Sequence, residues 1–549
     1  MNKVLPLISL FIISIISIFY WTLKSKNELY DAKWNAPDTT LAITINGEIS
    51  TTFPTTSAYE TSVECTNGTG KVEWNGSKWI LTTSEITKGS TKCNVIFITK
   101  VLTLAETILA NNEVKTPLTT PGREVNAHVV DDVESQSASV SSTYQAYYIT
   151  YGTGYEANGT KFNLTGTAVT SDTYKNSYSS LVGKYLPSSD LYNAGSSTAG
   201  KMKTTTNLSS VYYVVSATSS SFMYKQITSN KNTTEALLAS TEDDYGTSYY
   251  FRGAVKNNYV QFANKCWRIV RIVGDGSVKL VLHNDNTSKV ANPCSSTNNS
   301  DTAAFAKYSG STYQSAFSNN TNYKDNAYIG FMYGATGASD YASAHANTNK
   351  GLILKNLETW YKNHLVPYES KLADTIWCND KSTFTKYTSG STYGTGLGYG
   401  ETNQTGYGAR NRIYGGNAAL YANPSLICPN DNNGGKLSKF TVNDKTNGNG
   451  DLTYKIGLLT ADEIVFAGSM YTPSNYSTYL QENTGGSSWW SLSPLDFNSV
   501  GASVWIASSG LLSNGGVNFY LGVRPAISLI SSITISDGSG TSEDPYVVN

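Results

Sequence analysis

The sequence predicts a multidomain, β-rich, exported protein with an N-terminal transmembrane helix, an all-β sandwich-like module and a C-terminal α+β domain. Three observations predict this fold class. An uncharged apolar run opens the chain, six cysteines fall in three sequential couples, and short alternating apolar runs are separated by stretches rich in Ser, Thr, Asn and Gly. At 549 residues the chain is too long for one core, so several domains are expected.

The N-terminal apolar run has the length of a membrane-spanning helix. Residues 4–23 carry no charge, and a helix of 20 residues reaches about 30 Å, the thickness of one hydrocarbon core. Lys24 and Lys26 follow an aromatic end instead of a small-residue cleavage site. This favours an uncleaved signal-anchor helix over 1–26, with the membrane as its partner. The alternative is a buried core helix.

The six cysteines predict disulfide bonds and an oxidising location. Each couple lies in a separate region of the chain, so pairing of neighbours is the simplest of about 15 connectivities, and free buried thiols are the alternative. No C-x-x-C is present and the four histidines are scattered, so we expect no metal and no cofactor. The bulk of the chain is therefore expected outside the cell, anchored or secreted. The cysteines are Cys65, Cys93, Cys266, Cys294, Cys378 and Cys428.

The charge balance argues against a nucleic-acid partner. The chain has 40 Lys and Arg residues against 41 Asp and Glu residues, which gives a net charge of -1. Binding to a phosphate backbone depends on a basic surface, and no such excess exists here.

Changes in composition predict the domain organisation after the anchor. Residues 38–100 read as a β-sandwich-like module with Asn-Gly turns between alternating runs. A linker over 101–145 follows, helix-compatible at 101–112 and then rich in Pro and Ser, and after it a β-rich Tyr/Ser/Thr module over 146–240. The last domain covers 241–549.

Local signals are clearest in this last domain. Two apolar runs flank a Gly-Asp-Gly turn at 274–276, which predicts a hairpin. A helical face ends before Pro367, and Thr460 with Glu463 forms a capping box that opens a short helix. Polar insertions at 295–350 and 380–450 read as surface loops. The predicted helical face consists of Ile353, Leu357, Trp360, Tyr361 and Leu365.

Several segments together resemble a family of exported bacterial proteins of unknown function that is common in gut Firmicutes. The closing pattern is also similar to C-type-lectin-like domains, among them formylglycine-generating-enzyme-like modules. The resemblance implies a lectin-like C-terminal domain in which residues 522–525 form a core strand. The chain departs from the family at Ser491-Leu492, where Leu-Arg is usual. The segments are EDDYGTSYYFRG at 242–253, CWRIVRI at 266–272, the Trp360 helix, GLLTADEIVFAG at 457–468, WWSLSP at 489–494 and GVRPAISL at 522–529.

No catalytic motif stands out. Residues 489–524 contain no cysteine, so the copper chemistry of formylglycine-generating enzymes is not supported. A nucleophile elbow, an H-E-x-x-H motif and a P-loop are also missing from the sequence. Asp462 and Glu463 are explained by helix capping and the helix dipole. Acidic residues near the C-terminus lack EF-hand spacing and read as a turn rather than a calcium site.

One segment predicts a ligand-binding face. The stretch between Pro494 and Gly522 mixes aromatic residues with adaptable polar ones, as binding loops do, and in lectin-like variable proteins it is the ligand face. The alternative is that Trp505 and Tyr520 pack in the sheet of the domain and that the polar residues form turns. The candidate ligand-binding residues are Asp496, Asn498, Trp505, Asn514, Asn518 and Tyr520.

These features favour a cell-surface binding or adhesion protein that displays its last domain on β-rich spacers, with a glycan or a surface protein as ligand. Two alternatives remain open. One is a divergent enzyme acting on surface polymers, which a cleft with converging carboxylates or with His283 would favour. The other is a structural envelope protein without a specific ligand.

Overall fold

The computed structural model describes residues 40–548 apart from short gaps, and it divides the chain into two compact units, Met1–Leu102 and Thr103–Asn549. The gaps are 57–58, 67, 85–91, 118–119, 124–126, 130–135, 140–145, 158–159, 170–181, 183–184, 188–210, 219–220, 230–235, 320, 433–434, 472–477 and 509.

The first unit is a small β module. Strands β1, β2, β3 and β6 form a sheet of order β2-β1-β6-β3, in which β1 runs parallel to β6, and β4 pairs with β5 as a hairpin. Asn46 and Gly47 have φ of 52° and 85°, the left-handed pair that a tight hairpin between β1 and β2 requires. The strands are β1 Thr40–Ile45, β2 Glu48–Ser50, β3 Tyr59–Cys65, β4 Thr69–Trp74, β5 Trp79–Ser84 and β6 Lys92–Thr99.

Phe97 is the centre of the core of this unit. Its ring is fully buried, and the rings of Trp79 and Phe53 lie 5.2 and 5.3 Å from it. Cys65 and Cys93 are directly opposite each other on β3 and β6 and form a disulfide.

The second unit contains a seven-stranded antiparallel sheet of order β10-β9-β11-β12-β13-β7, with β8 paired to β13. Tyr- and Thr-rich runs suit such strands because β-branched and aromatic side chains fit a pleated surface. The strands are β7 Ala127–Val129, β8 Gln136–Ser139, β9 Ala146–Ala157, β10 Thr160–Val169, β11 Tyr185–Pro187, β12 Val211–Ala217 and β13 Ser221–Ser229.

The next sheet contains the hairpin predicted around 274–276. Strands β17 and β18 are its centre, and every residue of both is buried. The order is β14-β15-β17-β16-β32, with β18 joined to β17 and to β31. The strands are β14 Ala236–Asp243, β15 Gly246–Gly253, β16 Tyr259–Phe262, β17 Lys265–Ile272, β18 Val278–Asn284, β31 Ala526–Leu529 and β32 Tyr546–Val547.

An eight-stranded sheet carries the predicted ligand-binding segment. Its order is β19-β30-β27-β28-β29-β26, and β24 joins β27 to β23. These strands are β19 Gln314–Ser315, β23 Thr383–Phe384, β24 Thr405–Tyr407, β26 Met470–Tyr471, β27 Trp489–Phe497, β28 Ala502–Ser508, β29 Leu511–Gly516 and β30 Leu521–Gly522. Two short ladders complete the unit: β20 Met332–Tyr333 with β21 Asn349–Lys350, and β22 Trp377–Cys378 with β25 Lys439–Phe440.

Among the described residues, helices are few and short. The predicted helical face is confirmed, since its five residues are all fully buried. The capping box of Thr460 and Glu463 is also confirmed. The α-helices are α1 Leu104–Asn111, α2 Tyr341–Ala344, α3 Leu352–His364, α4 Gly408–Ile413, α5 Ala418–Tyr421 and α6 Ala461–Phe466. The 3-10 helices are Ser296–Asn298, Asn326–Ile329, Val366–Lys371 and Tyr479–Gln481.

The insertions at 295–350 and 380–450 are more than the surface loops that were predicted. Phe331, Tyr407 and Phe440, which come from these insertions, are fully buried in the main core of the unit. Leu104 and Ile108 of α1, from the predicted linker, are buried in the same core. Their short apolar runs show no sustained period, so the sequence pattern did not separate them from surface loops.

The predicted strand over 522–525 is also corrected. β30 ends at Gly522 and β31 begins at Ala526, so the residues between them connect two strands. Arg524 is fully buried there, and its Nε donates to the carbonyl of Leu282 at 2.9 Å while Nη1 donates to that of Leu480. Burial lowers the pKa of Arg524 to about 9.

The predicted fold class is wrong in its α+β character, and its transmembrane helix has no support among the described residues. Across the described residues, no helix is long and apolar enough to cross a membrane. The run over 4–23 itself lies outside the described residues. The described part of the chain is mostly β-sheet with few helices, and nothing in it supports the predicted membrane anchor or the membrane as partner.

The six cysteines are paired as neighbours, as predicted. The bonds join Cys65 to Cys93, Cys266 to Cys294, and Cys378 to Cys428. Three disulfides indicate an oxidising setting, extracellular or secreted.

Candidate functional site

Three of the predicted ligand-binding residues lie on neighbouring strands of the eight-stranded sheet. Asp496 is near the end of β27, Trp505 is on β28, and Asn514 faces Trp505 from β29. Asn498 follows β27 directly. The structure therefore gathers part of the predicted set at one place in the sheet.

Trp505 is a core residue and not a ligand-facing one, which corrects its predicted role. Only 1% of its surface is exposed, and the ring packs edge-on against that of Tyr471 at 5.5 Å. The alternative drawn from the sequence, packing in the sheet of the domain, is therefore right for this residue.

Asp496 is likewise buried and fully engaged, so it is not available to a ligand directly. It forms an ion pair with Arg410, which comes from α4. It also accepts hydrogen bonds from the Tyr393 hydroxyl at 2.7 Å and from Nδ2 of Asn498 at 3.3 Å. The carboxylate acts as an anchor for the side chains around it.

Those side chains form what we call the tyrosine cluster: Tyr387, Tyr393, Tyr414 and Tyr471 around Arg410. The ring of Tyr387 lies 5.4 Å from that of Tyr393 and 5.5 Å from that of Tyr414, and Tyr414 lies 5.1 Å from Tyr471. The guanidinium carbon of Arg410 is 4.6 Å from the ring centre of Tyr393, and its Nε donates to the Tyr387 hydroxyl at 2.7 Å. Each of the four tyrosines is half-buried and keeps part of its surface in solvent.

The electrostatics of the cluster keep Arg410 charged and keep Tyr387 and Tyr393 neutral. Burial alone would lower the pKa of Arg410, but Asp496, Tyr387 and Tyr393 together outweigh burial and raise that pKa. Burial is the main cause that raises the pKa of Tyr387 and of Tyr393, and Asp496 raises both further. The cluster thus presents phenol rings and hydroxyl groups over a neutralised ion pair.

Glycines allow the chain to bring these tyrosines together. Gly394 follows Tyr393 with φ of 61°, and a Cβ there would stand 2.1 Å from the carbonyl oxygen of Gln404. Gly416, two residues after Tyr414, has φ of 96°, and its Cβ would meet the Ser389 hydroxyl at 2.0 Å. Only glycine tolerates both the left-handed backbone and the close approach.

Asn518 and Tyr520 lie on the turn between β29 and β30. Tyr520 is 53% exposed and the adjacent Phe519 is 54% exposed. Tyr520 is near Tyr308, whose pKa is raised by burial and further by Tyr520. Asn518 and Tyr520 thus lie at this aromatic tip, whereas Asp496 and Trp505 contact the tyrosine cluster.

A second group of charges, the ion cluster, lies on the other side of α4. It surrounds a cavity of about 20 Å³, which suits a single water molecule and no substrate. Each acid accepts a hydrogen bond from a cation: Arg271 bonds Asp243 and Glu463, Lys279 bonds Glu463, and Arg412 bonds Asp380 and Asp462. Asp462 and Glu463 are therefore explained by ion pairing as well as by capping.

The remaining sequence candidates have structural partners. His283 is fully buried, receives a hydrogen bond from Asn483 at 3.1 Å, and has a pKa that burial lowers well below the usual value. Glu543 accepts from the Ser295 hydroxyl at 2.8 Å, and Asp544 accepts from the Ser539 amide at 2.9 Å. Within the described ranges, no three His, Cys, Asp or Glu residues are grouped to hold a metal ion.

Sequence reasoning missed Arg410 and the tyrosines of 387–414 because they lie in a polar insertion without a strand or helix period. The available signal was composition: residues 384–414 alternate Tyr with Gly at a density seen in binding loops.

Comparison with protein-family models, with curated proteins and with solved structures finds no match to this chain. The resemblance to exported Firmicutes proteins therefore stays a prediction.

Proposed function

We propose that this protein is an extracellular binding protein whose tyrosine cluster holds a glycan. The observation that carries the proposal is the cluster itself, four half-exposed phenol rings on a fixed support. A sugar ring has an apolar C–H face and a rim of hydroxyls, and a tyrosine offers an apolar ring face with a polar tip. The apolar face of the sugar therefore matches the tyrosine ring, and its hydroxyl groups match the tyrosine hydroxyl.

Preorganisation supports the same proposal. Arg410 and Asp496 hold Tyr387 and Tyr393 by hydrogen bonds, so the rings lose little freedom when a ligand arrives. The absence of a net charge at the pair also suits a neutral ligand better than a phosphorylated or sulfated one.

The test is a binding screen of the full-length protein on broad glycan arrays, followed by variants. Tyr414→Ala removes a ring that holds no hydrogen bond to Arg410 or Asp496, and we expect at least a roughly tenfold loss of affinity. Tyr454→Ala is the matched control: Tyr454 is also half-buried and stacks on Tyr361 at 4.7 Å, outside the cluster. A folded wild-type protein that retains no glycan would overturn the proposal.

A further arm of the screen separates the two surfaces. Tyr520→Ala alters the aromatic tip and leaves the tyrosine cluster intact. If that variant loses the ligand while Tyr414→Ala keeps it, the tip is the binding surface and the proposal fails for the cluster.

A further inference from the structure

Lys381 is a fully buried lysine without a carboxylate partner among the residues that the structure describes. Its Nζ donates to the carbonyl of Met332 at 3.0 Å and to Oδ1 of Asn347 at 2.5 Å. A buried ammonium is costly unless it is ion-paired, so a lysine in this setting favours its uncharged form. Burial lowers the pKa of Lys381 to about 7, and Asp431 and Asp451 offset only part of that effect.

Asn347 presents its carboxamide directly to this amine. The side chain is 6% exposed, and its Nδ2 donates to the carbonyl of Leu437 at 2.9 Å and to Oδ2 of Asp451 at 3.1 Å. Since a C=O bond is about 1.2 Å long, Cγ of Asn347 lies within about 3.7 Å of Nζ. The uncharged amine of Lys381, the carboxamide carbon of Asn347 and the carboxylate of Asp451 therefore lie next to one another in space, in that order.

The surroundings hold the amine in place and keep it dry. Nζ is 5.3 Å from the ring centre of Phe440, and the Lys381 Cε lies so close to Gly330 that a Cβ there would approach it to 3.3 Å. The Tyr341 hydroxyl donates to the backbone carbonyl of Lys381 at 2.7 Å. Fixed reactants at near contact distance convert a slow bimolecular reaction into an intramolecular one.

We propose that Lys381 and Asn347 become joined by an isopeptide bond, with Asp451 transferring the proton. Nζ attacks Cγ of Asn347, the bond between Nζ and Cγ forms, and the bond between Cγ and Nδ2 breaks. A proton from Nζ passes through the Asp451 carboxylate to Nδ2, which leaves as ammonia. The products are one amide and one ammonia molecule, and nothing is oxidised or reduced.

Asp451 is well placed for this role because it connects the buried amide to solvent. It is exposed while the amide it bonds is buried, so ammonia has a short way out. The bond would close a loop between positions 34 apart. Its Lys381 end lies three residues after Cys378, which forms a disulfide with Cys428. This region would then hold two kinds of covalent cross-link, only one of which a reductant opens.

The test is mass spectrometry of the full-length protein after reduction of its disulfides. We expect an intact mass below that of the sequence by one ammonia molecule, and a branched peptide joining the segment of Lys381 to the segment of Asn347. Trypsin is expected not to cleave after Lys381. A wild-type mass equal to that of the sequence, with full cleavage after Lys381, overturns the proposal.

Variants assign the roles. Asn347→Ala removes the electrophile and is expected to abolish the branched peptide. Asp451→Asn, at an exposed position that tolerates substitution, is expected to lower its yield at least tenfold, whereas Asp301→Asn, also exposed, is expected to leave it unchanged. Complete cross-linking in Asp451→Asn would remove the carboxylate from the mechanism.

Discussion

Arg412 holds Asp462 through two parallel hydrogen bonds, Nε to Oδ1 and Nη2 to Oδ2, both 2.9 Å long. Two residues earlier on α4, Arg410 reaches Asp496 on the opposite side. One short helix is therefore held by ion pairs on two sides, by Asp462 of the ion cluster and by Asp496 beside the tyrosine cluster. The fork between Arg412 and Asp462 supports the candidate binding surface without belonging to it.

Arg412→Lys should lower the free energy of unfolding of the second unit by about 2 kcal/mol. Lysine keeps the charge but cannot make both bonds with Asp462 and a third with Asp380. Chemical denaturation measures the loss. Lys355→Ala on the exposed face of α3 serves as a control and should change stability by less than about 0.5 kcal/mol. Equal stability of Arg412→Lys and wild type would show that the fork contributes nothing.

Glu463 should make the protein acid-sensitive. Burial alone would raise its pKa, but the charges of Lys279 and Arg271 outweigh it and lower the pKa to about 2, against a usual value of 4.5. Because the unfolded chain takes up this proton first, the stabilisation is complete above pH 4.5 and is lost as the pH falls to about 2.

Glu463→Gln tests this assignment. At neutral pH it should cost roughly 3–5 kcal/mol, because Lys279 and Arg271 stay buried without their shared partner. The difference from wild type should shrink as the pH falls from 4.5 to 2, whereas Glu242→Gln on the surface should change the stability at neutral pH by less than about 0.5 kcal/mol. A Glu463→Gln difference that does not change with pH would contradict the lowered pKa.

The disulfide between Cys378 and Cys428 should stabilise the second unit more than any single hydrogen bond. It joins positions 50 apart, so its replacement by two serines should lower the free energy of unfolding by about 4 kcal/mol in the chain-entropy model. Denaturation of the second unit measures it. The double serine variant at Cys65 and Cys93 is the control, since that bond belongs to the first unit and should leave this transition in place.

Phe97→Ala should destabilise the first unit by about 4 kcal/mol, because it opens a cavity among Trp79, Phe53 and Tyr59. Among the described residues, none before Leu104 belongs to the main core of the second unit, so the transition of that unit should not move. Calorimetry can follow both transitions. Phe97→Leu refills most of the space and should cost less. A shift of both transitions would mean that the units do not unfold separately.

The sequence could predict those features whose interacting residues lie close together along the chain. The hairpin at 274–276, the buried face of α3 and the capping box at Thr460 depend on residues within a few positions, so their patterns are readable. Neighbour pairing of the cysteines was readable for the same reason.

The site was not readable because its partners are distant in sequence. Arg410 and Asp496 are 86 positions apart, and Arg271 and Glu463 are 192 apart, with no local pattern to connect them. Trp505 is a case in which a local pattern was misleading. An aromatic residue beside polar residues looks like a binding residue, yet the strand of Trp505 buries it against Tyr471.

The sheet built on β17 and β18 depends on the last part of the chain. Val278 and its neighbours pair with residues 526–529, and Val260 pairs with Tyr546. A polypeptide emerging from its N-terminal end must therefore wait for more than two hundred further residues before this sheet closes. Until then its apolar edges are unprotected, so we expect this sheet to form slowly and to be prone to aggregation before it closes.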